Sequence, residues 1–170
     1  MTSTDSQSSA EASSNDRLHE LDAPPWLRVE STIISAASDI RRLYDERFAP
    51  LDLTLSLVGL LCYVGDFGPV SQTRAADHLH QGRAVTGTQI DRLEERGLIE
   101  RQPDPNDRRV WLVQITADGK ELADKAIELD IVIRKELRAG IAREDRQALA
   151  NVLVRLQHNI ANALESELDT

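Results

Sequence analysis

The sequence predicts a mainly α-helical protein carrying a small β-hairpin, and three observations lead to that class. Between Trp26 and Leu164, apolar residues recur mostly at three- or four-residue spacing, which puts them on single faces of successive helices. Only two short stretches alternate instead, Leu98-Ile99-Glu100-Arg101 and Val110-Trp111-Leu112-Val113-Gln114-Ile115. They flank the polar turn Pro103-Asp104-Pro105-Asn106-Asp107-Arg108-Arg109. Breaker residues separate the periodic segments at Gly65-Asp66-Phe67-Gly68-Pro69, at Gly97 and at Ala139-Gly140. Helix, short turn, helix and hairpin in that order make a winged helix-turn-helix, with one helix for a DNA groove and a basic hairpin beside it.

Composition bounds what such a fold can do. The 170 residues hold one domain of ordinary size with a tail, and 41% hydrophobic content supplies a core. No apolar run approaches the roughly 18 residues of a membrane span, so a soluble protein with no membrane partner is expected. The N-terminus lacks the charged start and apolar stretch of a secretory signal. A single cysteine excludes an intramolecular disulfide and fits a reducing cytoplasm. A net charge of −9 argues against a nucleic-acid partner at first sight. Yet Ser71 to Trp111 hold seven Arg against seven Asp or Glu, so the excess acid lies elsewhere. Arginines set in an acidic body are compatible with DNA binding of modest, steeply salt-dependent affinity.

Taken in order, residues 1–22 are rich in Ser, Thr, Asp and Glu and poor in large apolar groups. They cannot bury enough surface to offset chain entropy, so a disordered, solubilising tail is expected. Pro24-Pro25 opens a first helix whose stripe is Trp26, Val29, Ile33, Ala37, Ile40, Tyr44 and Phe48, closed by Pro50. Thr54 is the cap of a second helix, apolar nearly all round from Leu55 to Val64 and therefore central. Ser71 caps a short third helix with Ala75, Ala76 and Leu79 inward, and His80-Gln81-Gly82 turns into the recognition helix. There Thr86, Ile90 and Leu93 share one face, while Arg83, Gly87, Thr88 and Asp91 lie on another, open to a partner. Gly97 sits where a left-handed residue ends that helix. After the hairpin, Thr116 caps a long helix with the stripe Leu122, Ala126, Leu129, Ile133 and Leu137. A last helix from about Arg143 carries Leu149, Val152, Leu153, Leu156, Ile160 and Leu164, and Ala142 offers its start no capping side chain. Three amphipathic helices without a sheet to cover are economically buried in an intertwined homodimer.

With these residues in place, the chain resembles the MarR family of bacterial winged-helix regulators. The resemblance is carried by Asp91-Arg92-Leu93-Glu94, Gly97-Leu98-Ile99, Asp104-Pro105-Asn106-Asp107-Arg108-Arg109 and Thr116 followed by Gly119, and the helix order extends it across residues 25–166. It implies a winged domain at about residues 53–115, dimerisation helices at about 25–48 and 117–166, and a homodimer on a pseudo-palindromic double-stranded DNA operator. It also implies a regulator, usually a repressor, that lets go when a small ligand or oxidant acts. Arg109 matches the family's wing-tip arginine that enters the minor groove, Asp107 the acid that orients it through an ion pair, and Arg108 a neighbouring phosphate contact. A narrow minor groove attracts arginine, so physics and resemblance agree there.

The recognition helix departs from the family at Thr86, where an apolar residue is usual. Either Thr86 is tolerated in the core or the helix start is slipped by about one residue. Base and backbone contacts are expected among Arg83, Val85, Thr86, Gly87, Thr88 and Gln89, with Arg83 suited to guanine and Gln89 to adenine. Arg92 suits a phosphate or an internal carboxylate, and the DNA-binding set extends to Ser71, Gln72 and Arg74 before it. The effector, by resemblance, lodges between dimerisation helices and winged domain. Trp26, Arg41 and Tyr44 are the candidate ligand-binding residues there, and they suggest an anionic aromatic molecule.

Several readings are bland. Cys62 lies in Leu60-Leu61-Cys62-Tyr63-Val64 and reads as core packing rather than as an oxidant sensor. His19, His78, His80 and His158 show no metal-ligand spacing, so neither a metal nor a cofactor is expected. Trp111 reads as wing-base packing. No phosphate loop, nucleophile elbow or obligate carboxylate pair points to an enzyme. The alternatives to a cytoplasmic, nucleoid-associated DNA-binding regulator are a protein–protein adaptor and a ligand or redox sensor on a winged-helix scaffold.

Overall fold

A computed structural model describes residues 24, 26, 28–107 and 109–166, so the expected tail at residues 1–22, together with Pro25 and Arg108, lies outside the described residues. The chain divides into two compact units, Met1–Leu129 and Asp130–Thr170.

In the first unit, α1 (Val29–Phe48) has no side-chain cap at Arg28, and of its predicted stripe only Tyr44 and Phe48 are buried. Their rings pack at a centroid distance of 5.7 Å. Pro50 stops the helix in a single 3₁₀ turn, Ala49–Leu51. Helix α2 (Leu55–Phe67) starts where expected, with Thr54 Oγ1 accepting from the Leu57 N–H. The Leu55 N–H also donates to the Asp45 carboxylate at 2.7 Å, which ties this start to α1. Leu57, Val58, Leu60, Leu61, Tyr63 and Val64 are all buried, so α2 is central as its composition demands. Each leucine so buried contributes about 1.5–3 kcal/mol.

Next come β1 (Val70–Ser71), α3 (Gln72–His78), α4 (Arg83–Glu95), β2 (Ile99–Pro103) and β3 (Trp111–Ile115). The hairpin strands pair antiparallel, with Ile99 opposite Ile115 and Pro103 opposite Trp111. The sequence did not suggest β1, since two residues carry no periodicity. Val70 nonetheless pairs with Val113, making a three-stranded sheet of order β1-β3-β2. Helix α4 ends as predicted, with Gly97 at φ 68°. The Leu98 N–H reaches Leu93 O at 2.9 Å and the Gly97 N–H reaches Glu94 O at 2.8 Å, the paired bonds of a glycine C-cap.

Helix α5 (Ala117–Leu137) runs out of the first unit, where Ala123 and Ala126 are buried, into the second, where Ile133 is. Thr116 Oγ1 accepts the Gly119 N–H at 3.0 Å and donates to Gly97 O at 2.7 Å, joining helix start to hairpin. The second unit is completed by a turn through Gly140 at φ 75° and by α6 (Arg143–Ser166). The Arg146 guanidinium donates to Ile141 O at 2.7 Å across a helix start that Ala142 leaves without a side-chain cap. Leu149, Val152, Ile160 and Leu164 on α6 are between 45% and 62% exposed. Among the described residues no single helix is long and apolar enough to cross a membrane.

Candidate nucleic-acid interface

The orientation of α4 is fixed at both of its ends by side chains. At its start, Gln72 Nε2 of α3 donates to Arg83 O at 3.0 Å. The same amide lies under Gly87, where an added Cβ would stand 2.9 Å from it, so glycine lets the two helices close. Gln72 and Gly87, both expected at the DNA contact, are therefore occupied with each other.

The C-terminal half of α4 is held by two ionic clamps. Arg101 of β2 donates to Asp91 and to Glu94, and its own backbone N–H donates to Glu94 at 3.2 Å. Burial alone would lower the pKa of Arg101, but the hydrogen bond it donates to Asp91 and the charges of Glu94 and Asp91 outweigh it and hold the guanidinium above its usual value. On the other side Arg92 meets the Asp52 carboxylate at 2.8 Å, and Arg96 donates to Asp52 O at 2.6 Å and to Leu51 O at 3.0 Å. Asp91, read from sequence as open to a partner, is thus committed internally. Arg92 takes the internal carboxylate of its two expected options.

Two residues of the expected base-contact set are turned inward. Thr86 is fully buried at 0% exposure beside Ile90 and Leu93, and its hydroxyl donates to Gly82 O at 3.3 Å. The helix is therefore not slipped: threonine sits in the core because its hydroxyl finds a carbonyl one turn back. Gln89 Oε1 is buried without a donor. It lines a cleft of about 320 Å³ with Asp45, Thr54, Ser56, Leu57, Thr88 and Arg92, rather than standing clear for adenine. Of the expected contact residues between Arg83 and Gln89, α4 exposes Arg83, Val85 and Thr88, the last with its hydroxyl bonded to Ala84 O at 3.2 Å.

The wing tip is organised by two short side-chain turns. Asp104 Oδ1 accepts the Asn106 N–H at 2.8 Å, and Asp107 Oδ1 accepts the Arg109 N–H at 3.0 Å. Val110 N–H to Asp107 O and Asp104 N–H to Val110 O, both at 2.9 Å, close the loop. Asp107 does orient Arg109 but through its backbone amide, a correction to the expected guanidinium–carboxylate pair. The Arg109 side chain is left exposed. Four bonds thus tie Asp104, Asn106, Asp107, Arg109 and Val110 to one another.

The arginines of this region consequently fall into two groups. Arg92, Arg96 and Arg101 are spent on internal acids and carbonyls. Arg74, Arg83 and Arg109 are exposed, with no carboxylate partner among the described residues. Ser71 Oγ is the α3 cap, accepting from the Arg74 N–H at 3.3 Å. A groove of about 320 Å³ between α3 and the wing is lined by Ser71, Gln72, Thr73, Arg101, Arg109, Val110, Trp111 and Val113. Sequence reasoning missed the Arg101 clamp, because nothing in a strand residue's spacing announces a helix partner. It also placed Trp111 inside, whereas the indole is 57% exposed.

The candidate effector residues are placed unevenly. Tyr44 is buried against Phe48, while Trp26 is 75% exposed and Arg41 is exposed. Cys62 is half-buried, a shallower position than its apolar surroundings predicted. His78 stacks on Tyr63 at 4.1 Å rather than facing outward alone.

A two-helix reading unit, a braced recognition helix and a basic wing define a winged helix-turn-helix protein. The model of the MarR family matches residues 51–110. A HTH-type transcriptional regulator of Bacillus subtilis (strain 168), YdgJ, is 25% identical over 134 residues, covering 78% of this chain and 82% of that one. Among solved structures, the transcriptional repressor CouR bound to a 23-mer DNA duplex is 25% identical, covers 76% of this chain and 92% of its own, and superposes with a TM-score of 0.71. BpsR of Bordetella bronchiseptica, whose DNA binding is regulated by 6-hydroxynicotinic acid, is 23% identical, with 82% and 96% covered and a TM-score of 0.72. Residues 51–110 thus match the MarR family in sequence, and the fold is that of transcriptional regulators such as CouR.

Proposed function

We propose that this protein is a homodimeric, sequence-specific DNA-binding regulator that acts as a repressor on a pseudo-palindromic operator and is released by a small effector. The observation that carries the reading is the division of arginines. Where a charge serves the fold it has an acid or carbonyl beside it, and Arg74, Arg83 and Arg109, on the reading helices and wing, have none among the described residues. A cation without such a partner is available for phosphate, and Arg109, its backbone N–H bonded to Asp107, suits a narrow groove. CouR and BpsR, which share the fold, are respectively a DNA-bound repressor and a regulator whose DNA binding responds to a small molecule.

The dimer rests on the exposed apolar side chains Leu149, Val152, Ile160 and Leu164 of α6 and on Ile34 and Ile40 of α1. Such stripes are too apolar to face water in a single copy. Two copies then set the recognition helices about one DNA turn apart, and binding to genomic DNA would hold the protein at the nucleoid. The test uses genomic fragments selected by the protein. Arg109→Ala weakens binding to them by about 1–3 kcal/mol at matched salt while the dimer persists in sedimentation. Unchanged affinity would remove Arg109 from the interface.

A further inference from the structure

We propose that Trp111 is a DNA-backbone contact: its indole packs against a deoxyribose of the strand that walls the groove entered by Arg109, with Nε1–H directed at a phosphate oxygen. The inference rests on the DNA-binding reading above and adds a residue that neither the sequence pattern nor the resemblance assigned.

Strand alternation places Trp111 on the same face of β3 as Val113, and Val113 is buried at 1% exposure while Trp111 is 57% exposed. The wing therefore continues its inward face beyond the buried Val113, and Trp111 lines a groove together with Gln72 and Thr73 of α3. Opposite it stands Pro103, at the last register of the hairpin. The groove beneath holds Ser71, Gln72, Thr73, Arg101 and Arg109. Its charge is supplied by Arg109, since Arg101 is neutralised by Asp91 and Glu94 and the Gln72 amide is bonded to Arg83 O. One net positive group, two hydroxyls and a large flat apolar surface match a sugar–phosphate unit: the phosphate is drawn to the guanidinium and the sugar lies on the ring. Tryptophan is a donor only, so its N–H suits phosphate oxygen, which only accepts. An exposed indole otherwise keeps a large apolar area in water, and aromatic residues of this kind mark contact surfaces.

The chain has two tryptophans, so a Trp26→Phe protein reports from Trp111 alone. The probe is a mixed-sequence DNA duplex about three helical turns long at low salt, because a backbone contact does not depend on base sequence. Saturating duplex is expected to reduce acrylamide quenching of Trp111 several-fold. Trp111→Ala, in the full chain, is expected to weaken binding about tenfold with the salt slope unchanged, because no charge is removed. Trp111→Phe retains part of the affinity, and both variants keep the parent's melting temperature. Duplex binding by anisotropy with Trp111 still fully quenchable overturns the contact but leaves the DNA-binding reading standing. Absence of duplex binding overturns both. Shielding that appears without DNA as protein concentration rises would make Trp111 an interface between copies and also overturn the proposal.

Discussion

Gly119→Ala tests the joint between wing and α5 with an unusual sign. Alanine in a helix ordinarily gains about 1 kcal/mol over glycine. Here an added Cβ would stand 1.9 Å from Leu98 O, 2.8 Å from Leu98 C and 2.9 Å from Ile115 Cγ1. Reaching even 3.0 Å from that oxygen requires a retreat of 3.0 − 1.9, or about 1.1 Å, and the obstacle is backbone, which cannot rotate away. The same oxygen accepts the Thr116 N–H at 3.1 Å, and Thr116 Oγ1 holds Gly97 O and the Gly119 N–H. A retreat of that size strains all three bonds, at about 1 kcal/mol each, so after the alanine gain the net loss is about 2 kcal/mol. For a chain of this length that lowers the melting temperature by about 4–8 °C. Circular dichroism melts at matched protein concentration measure it, since dimerisation makes the midpoint concentration-dependent. Gly59→Ala is the control: its Cβ would meet only Leu79 Cδ2, at an ordinary 3.7 Å, so this substitution should be neutral or raise the midpoint. A Gly119→Ala melt equal to or above the parent refutes the close-approach reasoning.

Other outcomes follow from the same geometry. Thr86→Val should be neutral or stabilising by up to about 1 kcal/mol and leave DNA preference unchanged, because the lost hydroxyl bonds only a carbonyl that already accepts the Thr86 N–H; altered base preference in a binding selection would return Thr86 to the interface. Arg101→Met should cost about 1–2 kcal/mol by leaving Asp91 and Glu94 facing each other, with partial recovery when Glu94→Gln is added; additive losses in a denaturant double-mutant cycle would deny the clamp. Since the pKa of Arg101 is raised on folding, its contribution is fully present below the ordinary arginine value and fades only as pH climbs through the higher folded one, so stability measured between neutral and mildly alkaline pH should show no loss from this group. Gly97→Ala should cost about 1 kcal/mol through its φ of 68° alone, with Gly97→Asn costing less; equal melts for both would contradict a conformational cause.

Much of this protein was legible as local pattern. The helix starts at Thr54, Ser71 and Thr116, the glycine stop at Gly97, the hairpin and the burial of Ile90 and Leu93 follow from capping chemistry and periodicity, which act within a few residues of chain. Those determine the order of elements and hence the fold class. Tertiary structure alone decided which polar residues were left over for a ligand. Arg92, Arg101 and Arg109 look alike in sequence, yet two meet acids from segments 40 and up to 10 positions away while the third does not. Gln72 was drawn to Arg83 O, Gln89 to an internal cleft and Trp111 out over the groove, because each depends on which elements come to lie side by side. Periodicity states which face of a helix is apolar, but only packing states what a charged side chain meets when it gets there.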